Sequence, residues 1–348
     1  MKRLTALASL GLCSLIAGPV QQQWPAQGAY DYDLFSKDRE CEFFDLEGLA
    51  LKLLNNQPIG TIAQGPMNTV GVDPQVSQKI VNMNWNWQPG FRLTLGYFNA
   101  PKYWEVLGQY TWFKDKGSKR LASPGSGTQQ YLGVGCYLPS VGSYGAASNP
   151  VTKINASAEL FYNDLSTLVS RNFYPNPHLR LKVIGGLTSM WTHQTTDLIN
   201  TFYATDITLN SRFHSKYWGV GFKMGTGADW YWGKDFYLTG KVFWSIVTGR
   251  WNTNTQVSLS DGTLVAQPHD SSYRTSQNFQ FIFGPSYQKS YEKTRLEIFV
   301  GYEFNSWLGA LSAYNYQSQS SAQSWLYPQS FFDDLTLAGV NIRLTLDF

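Results

Sequence analysis

From about residue 42 onward, apolar and polar side chains alternate with a period of two, and no long 3.6-residue period interrupts them. Trp218, Val220, Phe222 and Met224 alternate with Gly219, Gly221 and Lys223. Phe279, Phe281 and Phe283 alternate with Asn278 and Gln280, and Leu296, Ile298, Val300 and Tyr302 with Arg295, Glu297 and Glu303. Such half-polar segments predict strands near 43–54, 79–98, 103–113, 151–173, 179–193, 213–232, 236–251, 273–288, 294–307 and 334–348. The count is ten, or twelve or fourteen if Thr128–Leu138 and Tyr314–Trp325 hold further hairpins.

Connections between these strands alternate short and long. Short ones fall near 99–102, 174–178, 233–235 and 288–293. Long ones, rich in Ser, Gly, Asn, Gln and Pro, cover 55–78, 114–150, 194–212, 252–272 and 308–333. This is an antiparallel up-and-down meander with its long loops at one end, the asymmetry of outer-membrane barrels. In hydrocarbon every backbone polar group must be paired internally, so the sheet has to close, and a meander with both ends on one side needs an even strand number. The predicted fold is therefore all-β, a transmembrane antiparallel up-and-down β-barrel with long extracellular loops and short periplasmic turns.

One stretch resists. VNMNWNWQPGFRLTLGY, Val81 to Tyr97, alternates throughout but carries the turn-like Gln88-Pro89-Gly90. A turn there would make the strand total odd, so the expectation is one strand over 79–98 with a kink at Pro89-Gly90. Trp85, Trp87 and Phe91 then face lipid, and Asn84, Asn86 and Arg92 face the lumen.

Composition sharpens the picture. Aromatic residues are 16% against 15% charged, with 31 Gly and 13 Trp in 348 residues, yet mean hydropathy is only -0.27. A chain so aromatic hides its apolar surface by alternation. At the N-terminus, Lys2 and Arg3 precede an apolar run from Leu4 to Ala17, too short to span a bilayer as a helix, which reads as a secretory signal over 1–28 cleaved between 18 and 29. A short periplasmic segment, 29–41, would follow, and the barrel would occupy 42–348. Removing Lys2 and Arg3 takes the net charge from +3 to +1, so nucleic acid is not an expected partner. Cys41 and Cys136 remain in an exported chain, where they could pair, cross-link to neighbours or stay reduced.

The C-terminus alternates Thr336, Ala338, Val340, Ile342, Leu344, Leu346 and Phe348 with Gly339, Asn341, Arg343, Thr345 and Asp347. A last amphipathic strand ending on an aromatic resembles the signal read by the barrel assembly machinery of Gram-negative bacteria, so Phe348 is expected to engage it. The other expected partners are outer-membrane lipid and lipopolysaccharide, and a homo-oligomer is compatible with the pattern. The block Trp85-x-Trp-x-Pro-Gly-Phe-Arg-x-x-x-Gly-Tyr, with Trp104 and Tyr110-Thr111-Trp112-Phe113 after it, resembles the major outer membrane protein family of Legionella and chlamydia-related bacteria. Phe161-Tyr162-Asn163-Asp164-Leu165 and Gly301-Tyr302-Glu303-Phe304 are similar to later strands of that family. The resemblance implies pore-forming surface barrels. Chlamydial members cross-link through many cysteines, a pattern this chain departs from.

If the apolar stripes face lipid, the alternate residues face the lumen. They supply the pore-lining candidates Arg92, Glu105, Arg180, Lys182, Lys223 and Asp229, with Lys241, Arg295, Glu297, Glu303 and Arg343. So many charges either line a wet channel or pair to close the lumen. Ten strands make a narrow barrel, so a small or gated pore for hydrophilic solutes or ions is expected, constricted by an infolded part of 114–150. The competing reading is a plugged structural or adhesive surface barrel. A third is a rim hydrolase using His193, His214 or His269 beside Asp197, Asp206 or Asp270, for which the chain offers no nucleophile motif. No cofactor is expected, since metal-ligand spacings, phosphate loops and nucleotide fingerprints are absent. The tryptophans and tyrosines near strand ends form the interfacial girdle, while Tyr237, Trp251 and Phe299, on the other parity, are expected inside.

Overall fold

A computed structural model describes residues 41–54, 58–64, 77–99, 103–122, 130–134, 151–176, 178–202, 208–233, 235–267, 269–291, 294–318 and 326–348. Ten strands form a closed antiparallel ring: β1 (Cys41–Leu53), β4 (Gln88–Asn99), β5 (Trp104–Ala122), β7 (Val151–Asn176), β8 (Leu179–Phe202), β9 (Thr208–Gly233), β10 (Phe236–Leu259), β12 (His269–Ser290), β13 (Arg295–Ser318) and β14 (Leu326–Asp347). Four further short strands lie off the ring. β2 (Pro58–Gln64), β3 (Ser77–Asn82) and β6 (Gln130–Val134) join one another at the long-loop end, and β11 (Leu264–Ala266) pairs with β10. The ring closes where β1 meets β14 in unbroken register from Phe43↔Asp347 to Leu53↔Leu337.

Outward positions carry the apolar stripes the alternation predicts. Leu95, Leu187, Phe222, Phe281, Tyr302 and Ile342 are all exposed, as lipid-facing side chains must be when no lipid is present. On β13 and β14 the stripe runs from Leu296 to Phe304 and from Ala338 to Leu346, close to the roughly 9–11 residues a tilted strand needs to cross the hydrocarbon core. β7 and β9, at 26 residues each, are far longer. The wall therefore rises past the membrane on the long-loop side, and 114–122, 194–202 and 252–259, predicted as loop, continue their strands.

The predicted single strand over 79–98 is broken. Its first part is β3, which pairs with β2 outside the ring, and the wall strand β4 starts only at Gln88. Between them, Trp85 forms an isolated bridge with Gly117, and the Ser118 N–H donates to the Asn84 carbonyl at 3.2 Å. In the β4–β5 ladder Gly90 faces Phe113. Continued in step, that ladder would set Trp85 opposite Ser118, so the segment has slipped by one residue. A one-residue slip exchanges the faces. Met83 and Trp85, on the parity of outward-facing Phe91, point inward and are 5% and 4% exposed. Asn84 and Asn86 are exposed instead of luminal, whereas Trp87 faces outward as predicted. Pro89 makes no kink within the strand: it pairs with Ala50 in regular register, and the β5 ladder begins after it, at Gly90. A proline at the start of a strand forfeits little.

Gly117 makes the infolding possible. A Cβ there would stand 2.9 Å from both Met83 Cγ and Trp85 Cε3, closer than carbon atoms approach. The infolded segment is thus 83–85. Residues 114–122, expected to supply the constriction, are instead the wall against which it packs; 123–129 and 135–150 lie outside the described residues.

Candidate pore lumen

All eleven predicted luminal charges lie on the inner face, sorted into two levels. Nearest the periplasmic turns, a cavity of about 90 Å³ is bordered by Glu105, Arg180, Lys182, Asp229, Lys241, Arg295, Glu297 and Arg343. Most are paired. Arg180 donates to Asp229 at 2.7 Å, and Asp229 also accepts from Thr239. Lys182 donates to Glu105 at 2.7 Å, whose oxygens accept from Ser170 and Asn172 as well. Arg343 donates to Glu297 at 2.7 Å, and Arg295 to Asp347. Two charges in this vestibule have no ion pair among the described residues, Lys241 and Asp45, and Asp45 Oδ1 has no hydrogen-bond partner.

Above the vestibule a network around Arg92, which is 2% exposed, projects into the lumen. Its guanidinium donates to Glu47 at 2.7 Å, to Glu303 at 3.0 Å and to Thr111 at 2.9 Å. Asn341 donates to both Glu47 and Glu303, and Gln280 to Glu303. Lys223, likewise buried, stands 3.8 Å from Asp164. Six strands contribute, so the knot ties the wall to itself.

The next level is apolar. Trp307 on β13 donates its indole N–H to Tyr162 on β7, and beyond them Leu49, Leu51, Leu53, Phe113 and Met190 pack with the infolded Met83 and Trp85. Tyr237, Trp251 and Phe299 are buried inside, as their parity predicts, while Trp85 leaves the predicted outer girdle for this core. The alternation placed the predicted charges and Tyr237, Trp251 and Phe299 inside, but not Leu49, Leu51 and Leu53. It missed Asp45 and Glu47, although their parity on β1 is the one that later carries Leu49, Leu51 and Leu53 inward.

Within this outer core, on β5 beyond Trp112, sits Asp115, fully buried, with one oxygen accepting from the Lys116 N–H and the other unsatisfied. Burial pushes its carboxyl up to about 6, against the opposing influence of the Lys116 and Leu53 backbone N–H groups and of Lys52.

The four histidines lie at three separate places on the wall. His193 and His214 lie on the outer wall of β8 and β9, where both contact Thr195, and Asp197 is taken by Arg212. His178 stacks on Tyr231 near a periplasmic turn, and His269 begins β12. Asp206 lies outside the described residues. Cys41 opens β1, half-buried; Cys136, its predicted alternative partner, lies outside the described residues.

The family model for the Legionella pneumophila major outer membrane protein precursor matches residues 39–348. A search of curated proteins returns no match. Among solved structures, the outer membrane protease OmpT from Escherichia coli is similar at 10% identity and a TM-score of 0.43, covering 88% of this chain and 96% of that one. A TodX deltaS2S3 mutant monoaromatic hydrocarbon channel is similar at 9% identity and a TM-score of 0.34, covering 90% of each chain. A Pseudomonas aeruginosa FadL homologue follows at 7% identity and a TM-score of 0.24, covering 89% and 90%. These likenesses are too distant to assign anything. With a ten-stranded closed wall, a lipid-facing apolar band and a family match over nearly its whole length, the chain belongs to the Legionella major outer membrane protein family and is a pore-like β-barrel of the bacterial outer membrane.

Proposed function

We propose that the protein is a narrow, gated pore for small hydrophilic solutes or ions, and that the lumen described above is its closed state. The observation that carries this reading is the vestibule: Lys241 and Asp45, ionisable side chains of opposite sign, border a cavity of about 90 Å³ and make no ion pair among the described residues. Ionisable groups without a partner are tolerated in such a cavity only when hydrated or neutralised, and on this reading hydration accompanies opening. A mouth lined by ion-paired side chains and leading up to the Arg92 network is what a selective constriction requires. The outer closure is the part suited to move, because the infolded segment reaches the wall through one isolated bridge, whereas the ring is laddered throughout.

The apolar outer core favours a second reading, a plugged surface barrel whose outer parts contact a host or the envelope. Reconstitution into planar bilayers tests the first against the second. The gated pore gives brief, small, reproducible current steps. Silence from protein that retains heat-modifiable gel mobility overturns it and favours the plugged barrel. Lipopolysaccharide, and the assembly machinery engaging Phe348, belong to the same proposal as its envelope partners.

A further inference from the structure

The register of β5 to β12 sets two rows side by side on the outer wall. The lower row runs Trp112, Asn163, Trp191, Trp218, Arg250, Tyr273, each directly opposite the next. The row above it, away from the periplasm, runs Lys114, Phe161, His193, Lys216, Asn252. Aromatic side chains thus mark the outer headgroup level, and cations stand at it and just beyond.

Among the described residues, Glu159 and Asp197 on this face are already engaged. Glu159 is held by Lys114 and Lys116, and Asp197 by Arg212. Lys216 and Arg250 have no acidic partner among the described residues; Arg250 donates only to Ser271, through Nε. They are diagonal neighbours on adjacent strands, near enough for one anion to meet both. His193 stands opposite Lys216, and His214 lies one row above it. Both imidazoles are held below their ordinary range, by burial first and then by neighbouring cations: Lys216 and His214 for His193, Arg212 for His214.

We infer that Lys216 and Arg250, on the shelf made by Trp191, Trp218 and Tyr273, form a binding site for a phosphorylated glycolipid of the outer leaflet. The phosphate sits between the two cations, where charge-assisted hydrogen bonds fix it, and the acyl chains lie down the apolar stripe Val220–Phe222–Met224. A lipid is the occupant because the cations are continuous with the lipid-facing band, so one molecule satisfies both. The site lies on the outside of the wall and is independent of whether the lumen conducts.

The test is retention of labelled bisphosphorylated lipid A by the full chain folded in mixed micelles. The comparisons are dephosphorylated lipid A and inorganic phosphate as competitors. Binding of bisphosphorylated lipid A is expected to be about tenfold tighter than that of the dephosphorylated form. The double variant K216Q/R250Q loses this preference, K216R/R250K keeps it, and R120Q/K153Q, at cations higher on the same wall, also keeps it. Heat-modifiable mobility confirms folding in each sample. Equal retention of the two lipids, an unchanged preference in K216Q/R250Q, or displacement by inorganic phosphate as effective as by lipid A each overturns the inference.

Discussion

Arg92 on β4 and Glu303 on β13 lie 211 positions apart in the chain and meet in a two-pronged ion pair, closed from the other side by Glu47. One cation between two buried carboxylates cannot be removed singly. Replacing Arg92 by Met is expected to destabilise the barrel by roughly 3–5 kcal/mol, because two buried charges lose their counter-ion. R92M/E303Q/E47Q should recover much of that loss. Urea unfolding in detergent, followed by gel mobility, reads both.

Asp115 predicts a pH dependence with a definite sign. Its folded carboxyl titrates near 6, above the ordinary value of 3.8. Below about 3.8 it is protonated whether folded or not and costs nothing. As the pH rises through this window the unfolded chain loses its proton first, so stability falls, by on the order of 2–3 kcal/mol once the pH passes 6. Asp115→Asn is expected to flatten this part of the stability–pH curve, which unfolding midpoints between pH 4 and 7 would show. A wild-type curve rising through that window and unaltered in D115N contradicts the assignment.

Orientation follows from the sorted connections. With Cys41 and Cys136 replaced by Ser, a cysteine at Ser260, beside the β10–β11 turn, should react with an impermeant maleimide on intact cells. One at Ser290, at the opposite end of β12, should react only after the outer membrane is opened.

Much of this architecture was legible. The ring, its even strand number and the inward side of all eleven charges follow from period two and loop sorting, since lipid enforces strict alternation where it touches the wall. Legibility fails where lipid stops. Residues 114–122 and 252–259 are polar on the outside because water surrounds the upper wall, so they read as loop although they pair as strand. Leu49, Leu51 and Leu53 face inward because the upper lumen is itself a packed core, which reverses the apolar side along one strand. The slip that turns Trp85 inward is set by Gly117, on the next wall strand, and the alternation within 81–97 carries no trace of it.

In the proposed gated pore Met83 and Trp85 form the outer closure, and Gly117 leaves them room. Gly117→Val removes that room without touching a luminal charge, and M83A/W85A removes the bulk itself. The most direct measurement is single-channel current of the wild type beside these two variants. Brief small steps from the wild type, with longer and larger openings from both variants, are the predicted result. Openings in the folded variants indistinguishable from those of the wild type would contradict it.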